Sequence, residues 1–365
     1  MKYIYIHGSF KSNNFGDYLL AQIAFNCVNE YLHEKNLSNK VEILMDEINP
    51  SYKKYINVNC LSLEEAIKKC DLMFCAGGGY FGEPKKDIKW SIRCLKYHVN
   101  PIIKLIKEGK SFCIIGVGAG NISYHFLKRK IKNIFNNSKY ITVRDIESFK
   151  FLKKIGVLNT ISVYPDWVMS DESSKILNKF KDEVDNNLIL IHLPIIKNIE
   201  KMNIVCKDLK KFLSDNNEIK YIICSDNISD DQYKSIDYIY DFLNSDRVEK
   251  FYYNDPYELI KILNKSKYIV TSKLHVGICG IKMKKKVIAL FNHPKIHRFY
   301  NQIQQKDYIV DLNKLKNNQL YYFLSQIVNE DIEKDYETIV NKSNVNKVIL
   351  YNFLNDNLEE DLVNE

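Results

Sequence analysis

Residues 269–295 read IVTSKLHVGICGIKMKKKVIALFNHPK. One apolar run stops at Thr271-Ser272-Lys273, a helix-like segment rich in small residues follows, and a second apolar run ends at Asn292-His293-Pro294-Lys295. Two short apolar runs joined by a helix-length crossover read as strand, helix, strand, with the strands parallel. His275 then stands where a strand gives way to a helix, and Lys295 takes the equivalent place after the next strand.

The same pattern extends in both directions. Strand-like runs lie at residues 3–7, 41–45, 72–76, 112–117, 140–144 and 162–165, and helical patterns at 17–34, 63–69, 90–107, 126–135 and 146–155. After a polar segment at 170–187 the alternation restarts, with strands at 188–193, 221–224, 250–253, 268–271 and 287–291 and helices at 199–213, 231–243, 256–265 and 275–283. Asp255 before Pro256 is an N-cap followed by proline in the first turn. Residues 312 to about 358 read as helical. Continuous apolar strands alternating with helices predict an α/β fold: two Rossmann-like, doubly wound domains with parallel sheets covered on both faces. The expected boundaries are 1–175, 186–311 and a helical C-terminal tail at 312–365. In such folds ligands bind in the cleft at the carboxyl ends of the strands, so functional residues should follow strands directly.

The 365 residues are 45% hydrophobic and 27% charged, enough for two domains with substantial cores. No run approaches the ~18–20 apolar residues of a membrane span. The start, Met1 to His7, is too short and polar for a signal peptide, which predicts a cytoplasmic protein. Nine scattered cysteines with no CxxC spacing predict buried thiols and neither a disulfide framework nor a zinc site. Net charge is +8, and Lys273 to Lys306 holds eight Lys/Arg and no acid. That basic stretch suits an anionic ligand and would also tolerate peripheral contact with the inner membrane face. Its basic residues are not interleaved with aromatics, which argues against nucleic acid.

Each motif follows a strand. HGSFKSNNFGDYLL offers Gly8, Asn14 and Gly16 for a tight loop and Asp17 as a helix cap, a place to hold a sugar or an anion. FCAGGGYFGEP puts Gly77, Gly78 and Gly79 where a ligand can approach the backbone, or where the chain merely turns. IIGVGAGNIS carries Gly116, Gly118 and Gly120, but Asn121 breaks the dinucleotide fingerprint, which in any case belongs after the first strand. Arg144, in YITVRDIES, suits a carboxylate or phosphate, unless it is a surface partner of Asp145 or Glu147. Asp166, in VYPDWVM, could serve as a base, bind a hydroxyl or cap a helix. His293 and His297 are spaced i,i+4, with no third ligand to complete a metal site.

Asn14-Phe15-Gly16-Asp17, Gly77-Gly78-Gly79, Gly116-Val117-Gly118-Ala119-Gly120, Val143-Arg144-Asp145, Asp166, Ser272-Lys273-Leu274-His275 and Pro294-Lys295 come in an order that resembles the polysaccharide pyruvyl transferase family. The resemblance covers residues 7 to about 300. It implies a GT-B-like fold with phosphoenolpyruvate as donor and a sugar of a cell-surface polysaccharide, or its lipid-linked precursor, as acceptor. The product it implies is a cyclic pyruvate ketal, with release of phosphate. It implies His275 as the acid, and Arg144 and Lys295 as ligands of the donor's charges beside Ser272 and Lys273. Asn14, Gly16, Asp17 and the glycines 77, 78, 79, 118 and 120 fall to the acceptor side, with Asp17 or Asp166 as base. No step requires a metal or a bound cofactor, and the oligomeric state stays open. The family usually has arginine where this chain has Lys273, so the charge is kept and the bidentate fork is lost. Two other readings stay open: a GT-B glycosyltransferase with a nucleotide-sugar donor, and a non-enzymatic subunit on the same fold.

Overall fold

The computed structural model describes residues 1–180, 183–193, 198–291, 293–330 and 335–362. The chain forms two compact units: 1–13, 17–173 and 338–365 make the first, and 14–16 and 174–337 the second.

The first unit contains β1 (Lys2–His7), α1 (Phe15–Glu34), β2 (Val41–Asp46), β3 (Asn59–Leu61), α2 (Leu63–Lys69), β4 (Leu72–Cys75) and β5 (Gly78–Gly82). It continues with α3 (Ile88–Cys94), α4 (Asn100–Lys107), β6 (Ser111–Gly120), α5 (His125–Asn137), β7 (Ile141–Val143), α6 (Ile146–Lys154) and β8 (Ser162–Val163). The strands are parallel, in the order β3-β2-β1-β4-β6-β7-β8, with β5 beside β6. In β1 both Tyr5 and Ile6 are buried, as expected of a strand covered on both faces. One core packs Tyr5, Met73, Ile114 and Val143 against Ile102, Leu105, Ile131 and Leu152 from the helices. The sheet order reverses between β1 and β4, so the switch point lies at His7 and Cys75.

The boundary falls within α7 (Asp171–Leu177), and the second unit continues through β9 (Asp185–His192), α8 (Ile199–Asp215), β10 (Lys220–Cys224), α9 (Asp230–Leu243), β11 (Val248–Phe251), α10 (Pro256–Lys265) and β12 (Ser266–Thr271). Then come α11 (Leu274–Lys282), β13 (Lys286–Phe291), α12 (Pro294–Gln302), β14 (Ile309–Asp311) and α13 (Gln319–Asn329). The parallel order β11-β10-β9-β12-β13-β14 is that of a dinucleotide-binding sheet, and its switch point pairs His192 with Thr271. Asp255 caps α10 through the amides of Tyr257 and Glu258, as its sequence predicts.

Several elements differ from the sequence reading. The tail is not one body: α13 joins the second unit, while α14 (Glu337–Leu362) returns to the first and buries Leu350, Phe353, Leu354 and Leu358. Residues 331–334, within the expected helical stretch, lie outside the described residues. The helix expected at 90–107 breaks into α3, a π-helical turn at Leu95–Val99, and α4 with Pro101 in its first turn, where the missing N–H costs least. The triple glycine is not a plain turn. Gly78 and Gly79 begin β5, which pairs with an unexpectedly long β6 across a register shift.

Candidate active site

In the second unit the opening stretch folds as its apolar spacing predicts. β12 ends at Thr271, Lys273 takes the N-cap position of α11 without a side-chain cap, and His275 lies in the first helical turn. A helix N-terminus directs its first amides at whatever lies before it, a disposition that suits an anion. The Ser272 amide donates to the His192 carbonyl (3.0 Å), which ties this turn to the neighbouring strand. Gly16 packs on the imidazole: a Cβ added there would overlap Nδ1 and stand 2.7 Å from Cε1. Gly16 is not among the glycines with positive φ, so its value is space and not conformational freedom. Asn14 holds it in place, its Oδ1 accepting from the Gly16 amide (3.0 Å). Asn14 therefore does the capping expected of Asp17, because α1 starts at Phe15 and Asp17 already lies inside its first turn.

Asp226, just past β10, gathers this group. It is buried, and its Oδ2 accepts from Asn14 Nδ2 (3.3 Å), its Oδ1 from Gln232 Nε2 (2.9 Å), and its carbonyl from the Phe15 amide (2.9 Å). Lys273 Nζ lies 3.7 Å and His192 Nε2 3.6 Å from Oδ1. Burial alone would push this carboxyl up. The nearby His192 and Lys273, with the hydrogen bond from Gln232, outweigh it and hold Asp226 well below the usual carboxylate range. His192 is itself buried, with Nδ1 2.9 Å from Thr271 Oγ1. Lys295 lies half-buried in the first turn of α12, where its amide donates to His293, the cap of that helix. His297 bonds Asn301, and among the described residues no group of three or more His, Cys, Asp or Glu side chains is placed to hold a metal ion. Asn292, quoted with this turn, lies outside the described residues.

In the first unit Arg144 follows β7 and is 8% exposed. Its partner is neither Asp145 nor Glu147. Asp145 caps α6 by accepting from the Ser148 amide (2.7 Å), and Glu147 pairs with Lys150. Arg144 Nη1 instead donates to buried Asp166 at 3.1 Å, and Asp166 also accepts from the Val168 amide. The glycines make the bed for this guanidinium. A Cβ on Gly118 would stand 2.8 Å from Arg144 Nε, and one on Gly79 3.3 Å from Nη2. Gly78, Gly116 and Gly120 have φ of +138°, +71° and +152°, which other residues rarely adopt. Gly77 packs against the Gly116 carbonyl, and Gly120 pairs with Gly82. Asp17 accepts from Ser12 Oγ at 2.6 Å.

The family model "Polysaccharide pyruvyl transferase" matches the chain over residues 14–294, which contain every residue of the ordered set except Lys295. The chain belongs to the polysaccharide pyruvyl transferase family. No curated protein matches this pyruvyl transferase significantly in sequence. Its fold is shared with UDP-GlcNAc 2-epimerase from Methanocaldococcus jannaschii (13% identity, 96% of this chain and 100% of that one, TM-score 0.64). It is also shared with MnaA from S. aureus, solved with UDP (11%, 94% and 91%, 0.59), and with HepE from Anabaena, solved with UDP-glucose (12%, 100% of both, 0.53). At such identities the likeness speaks to the α/β, GT-B-like fold alone.

The sequence reading of this pyruvyl transferase passed over a second, partly buried cluster, at the carboxyl edge of β1 and β2. His7 Nδ1 lies 2.8 Å from Asp46 Oδ2, and His7 Nε2 lies 3.0 Å from His98 Nδ1. Tyr5 donates to the other Asp46 oxygen, and Tyr80 stacks on His98 with ring centres 4.5 Å apart. His98 is supplied by the π-helical turn. Burial, then the charge of His7, drives the His98 imidazole down to about 3. Burial would raise Asp46, but His7 and the bonds from His7, Tyr5 and Gly8 hold it below its ordinary range. No helix among the described residues is long and apolar enough to cross a membrane.

Proposed function

We propose that this pyruvyl transferase moves the enolpyruvyl group of phosphoenolpyruvate onto a sugar of a bacterial cell-surface polysaccharide or its lipid-linked precursor. The product is a cyclic pyruvate ketal, with phosphate as the leaving group. The reading is carried by His275 in the first turn of α11, cushioned by Gly16 and preceded by Ser272 and Lys273, within a chain that matches this family over most of its length.

His275 is assigned as the acid that protonates the methylene carbon of the donor, which leaves the central carbon electrophilic. Arg144 and Lys295 are assigned to its carboxylate and phosphate charges, with Lys273 and the α11 amides in support. One sugar hydroxyl then adds to the central carbon. A second hydroxyl displaces phosphate from the same carbon and closes the ring. The hydroxyl protons return one to the histidine and one to the departing phosphate, with Asp17 as the carboxylate relay. Asp166 is better read as the residue that fixes Arg144, because both its side chain and its cap position are already engaged. Asn14, Gly77, Gly78, Gly79, Gly118 and Gly120 remain assigned to the acceptor side, and no metal or resident cofactor enters this scheme.

The test is stabilisation against heat by phosphoenolpyruvate, compared with UDP-glucose and UDP-N-acetylglucosamine, the ligand class of the structural neighbours. Wild type should respond to phosphoenolpyruvate alone. Arg144→Ala and Lys295→Ala should respond weakly, and His275→Ala should bind the donor yet release no phosphate. Stabilisation by a nucleotide sugar and none by phosphoenolpyruvate would replace this reading with a glycosyltransferase.

A further inference from the structure

α5 and α6 border a groove of about 500 Å³ that starts at Asn121, the residue after Gly120, and includes none of the side chains assigned above. His125, Lys128, Arg129 and Lys132 from α5 and Lys154 from α6 line it. Between residues 121 and 158 the chain has only two acids, and both are spent elsewhere: Asp145 caps α6 and Glu147 pairs with Lys150. Among the described residues no acid pairs with any of the five basic side chains, so their charge is presented outward uncompensated. The floor is apolar, formed by Ile122, Phe151 and Ile155. Two large apolar side chains stand exposed on the same helix pair: Phe126 near the start of α5 (40%) and Leu158 after α6 (84%), whose amide donates to Asn136 near the end of α5 (2.8 Å).

Sequence alone pointed to residues 273–306 as the basic surface, but in the fold much of that stretch is occupied. Lys273 faces Asp226, Lys285 and Lys286 donate to backbone carbonyls, and Lys282, Lys295 and Arg298 have interactions of their own. The groove is the better electrostatic target.

We propose that the α5–α6 groove docks the phosphate headgroups of an anionic membrane surface, with Phe126 and Leu158 entering the headgroup layer. Charge complementarity supplies the attraction, and exposed apolar side chains at the edge of a basic face add partition into the interface. The inference does not depend on which donor the enzyme uses.

The experiment is co-sedimentation of the full chain with vesicles of phosphatidylcholine, with and without phosphatidylglycerol. Each Lys or Arg near an anionic surface contributes roughly fivefold in partition, so losing three should lower binding at least about 100-fold. The test variant is Lys128→Glu/Arg129→Glu/Lys132→Glu. Its control, equal in charge, is Lys306→Glu/Lys314→Glu/Lys316→Glu, exposed residues of the second unit. Thermal unfolding checks that both fold, and Lys128→Gln/Arg129→Gln/Lys132→Gln serves if the reversal does not. Wild type should bind only the phosphatidylglycerol vesicles, the groove variant should lose that binding, and the control should keep most of it. Equal binding by the groove variant, an equal loss in the control, or no vesicle binding by wild type would each overturn the proposal. Stabilisation of wild type, but not of the groove variant, by inorganic pyrophosphate in the absence of vesicle binding would assign the groove to a soluble phosphate and likewise overturn it.

Discussion

Gly16→Ala separates catalysis from stability with a single methyl group. The new Cβ would overlap His275 Nδ1 and sit 2.7 Å from Cε1, against the 3.0 Å below which real Cβ contacts essentially never occur. Either α1 shifts or the imidazole does, and turning one side chain takes less than moving a helix. A displacement of roughly 1 Å of a reacting group costs on the order of 100-fold in rate. That corresponds to about 2.7 kcal/mol of transition-state stabilisation. Stability should move the other way or stay level, because alanine in a helix is favoured over glycine by up to ~1 kcal/mol. The expected result is therefore a kcat for phosphate release from phosphoenolpyruvate down about 100-fold, with thermal unfolding unchanged or slightly raised. Retention of activity within about threefold would refute the reasoning, since it would mean that the imidazole is not held where the chemistry needs it. A large fall in stability with full activity in the folded fraction would show that α1 yields in place of the ring.

Two further outcomes follow from the buried charges. Asp166→Asn should destabilise the first unit by about 3 kcal/mol, because it strands a buried guanidinium, and should weaken stabilisation by phosphoenolpyruvate; a base without a structural part would instead lose turnover with unfolding unchanged. Acid should unfold the first unit early. His98 binds its proton near pH 3 when folded and near 6.5 when unfolded, so between those values the unfolded state holds more protons and stability falls as pH drops, by up to about 1.4 kcal/mol per pH unit. Asp46, held below its unfolded value of 3.8, adds to the loss at the acid end. Denaturant midpoints measured from pH 7 to pH 4 should show this slope and His98→Gln should flatten it; an unchanged slope in the variant would reject the assignment.

Much of the fold was legible because parallel sheets leave a simple trace: unbroken apolar runs at strand length, separated by helices. The elements that escaped are those without such a trace. Three of the five residues of β5 are glycine, and β3 and β14 are three residues each, so none of them carries a hydrophobic period. The π-helical turn at Leu95–Val99 keeps an ordinary helical composition, and only Pro101 hints that the helix is interrupted. The rule that functional residues follow strands picks out Arg144, Asp166, Lys273 and His275 as candidates, and each does follow a strand. It applied equally to His7, Asp46, His192 and Asp226, which end or follow β1, β2, β9 and β10. Asp46, His192 and Asp226 were passed over because no glycine or motif marks them, and His7 because the residues after it in HGSFKSNNFGDYLL drew the reading, although the rule needs only the strand end.

The glycines show why a site cannot be read residue by residue. A sequence records only that a side chain is missing. It does not say whether the backbone needed a rare φ or a neighbour needed the volume. Gly78, Gly116 and Gly120 answer the first way, with positive φ, whereas Gly16, Gly79 and Gly118 answer the second, each facing a cation or an imidazole. The second group depends on partners brought near by the fold: His275 for Gly16, and Arg144 for the other two. Arg144 in turn takes its direction from Asp166, on the far side of α6, and not from the carboxylates beside it in sequence. Glycine, arginine and aspartate thus form one arrangement whose parts look like a turn, a surface ion pair and a cap when each is taken alone. Enlarging a glycine of the second group should therefore disturb the function of the side chain it faces before it disturbs the fold, while enlarging one of the first group should strain the backbone whatever it faces.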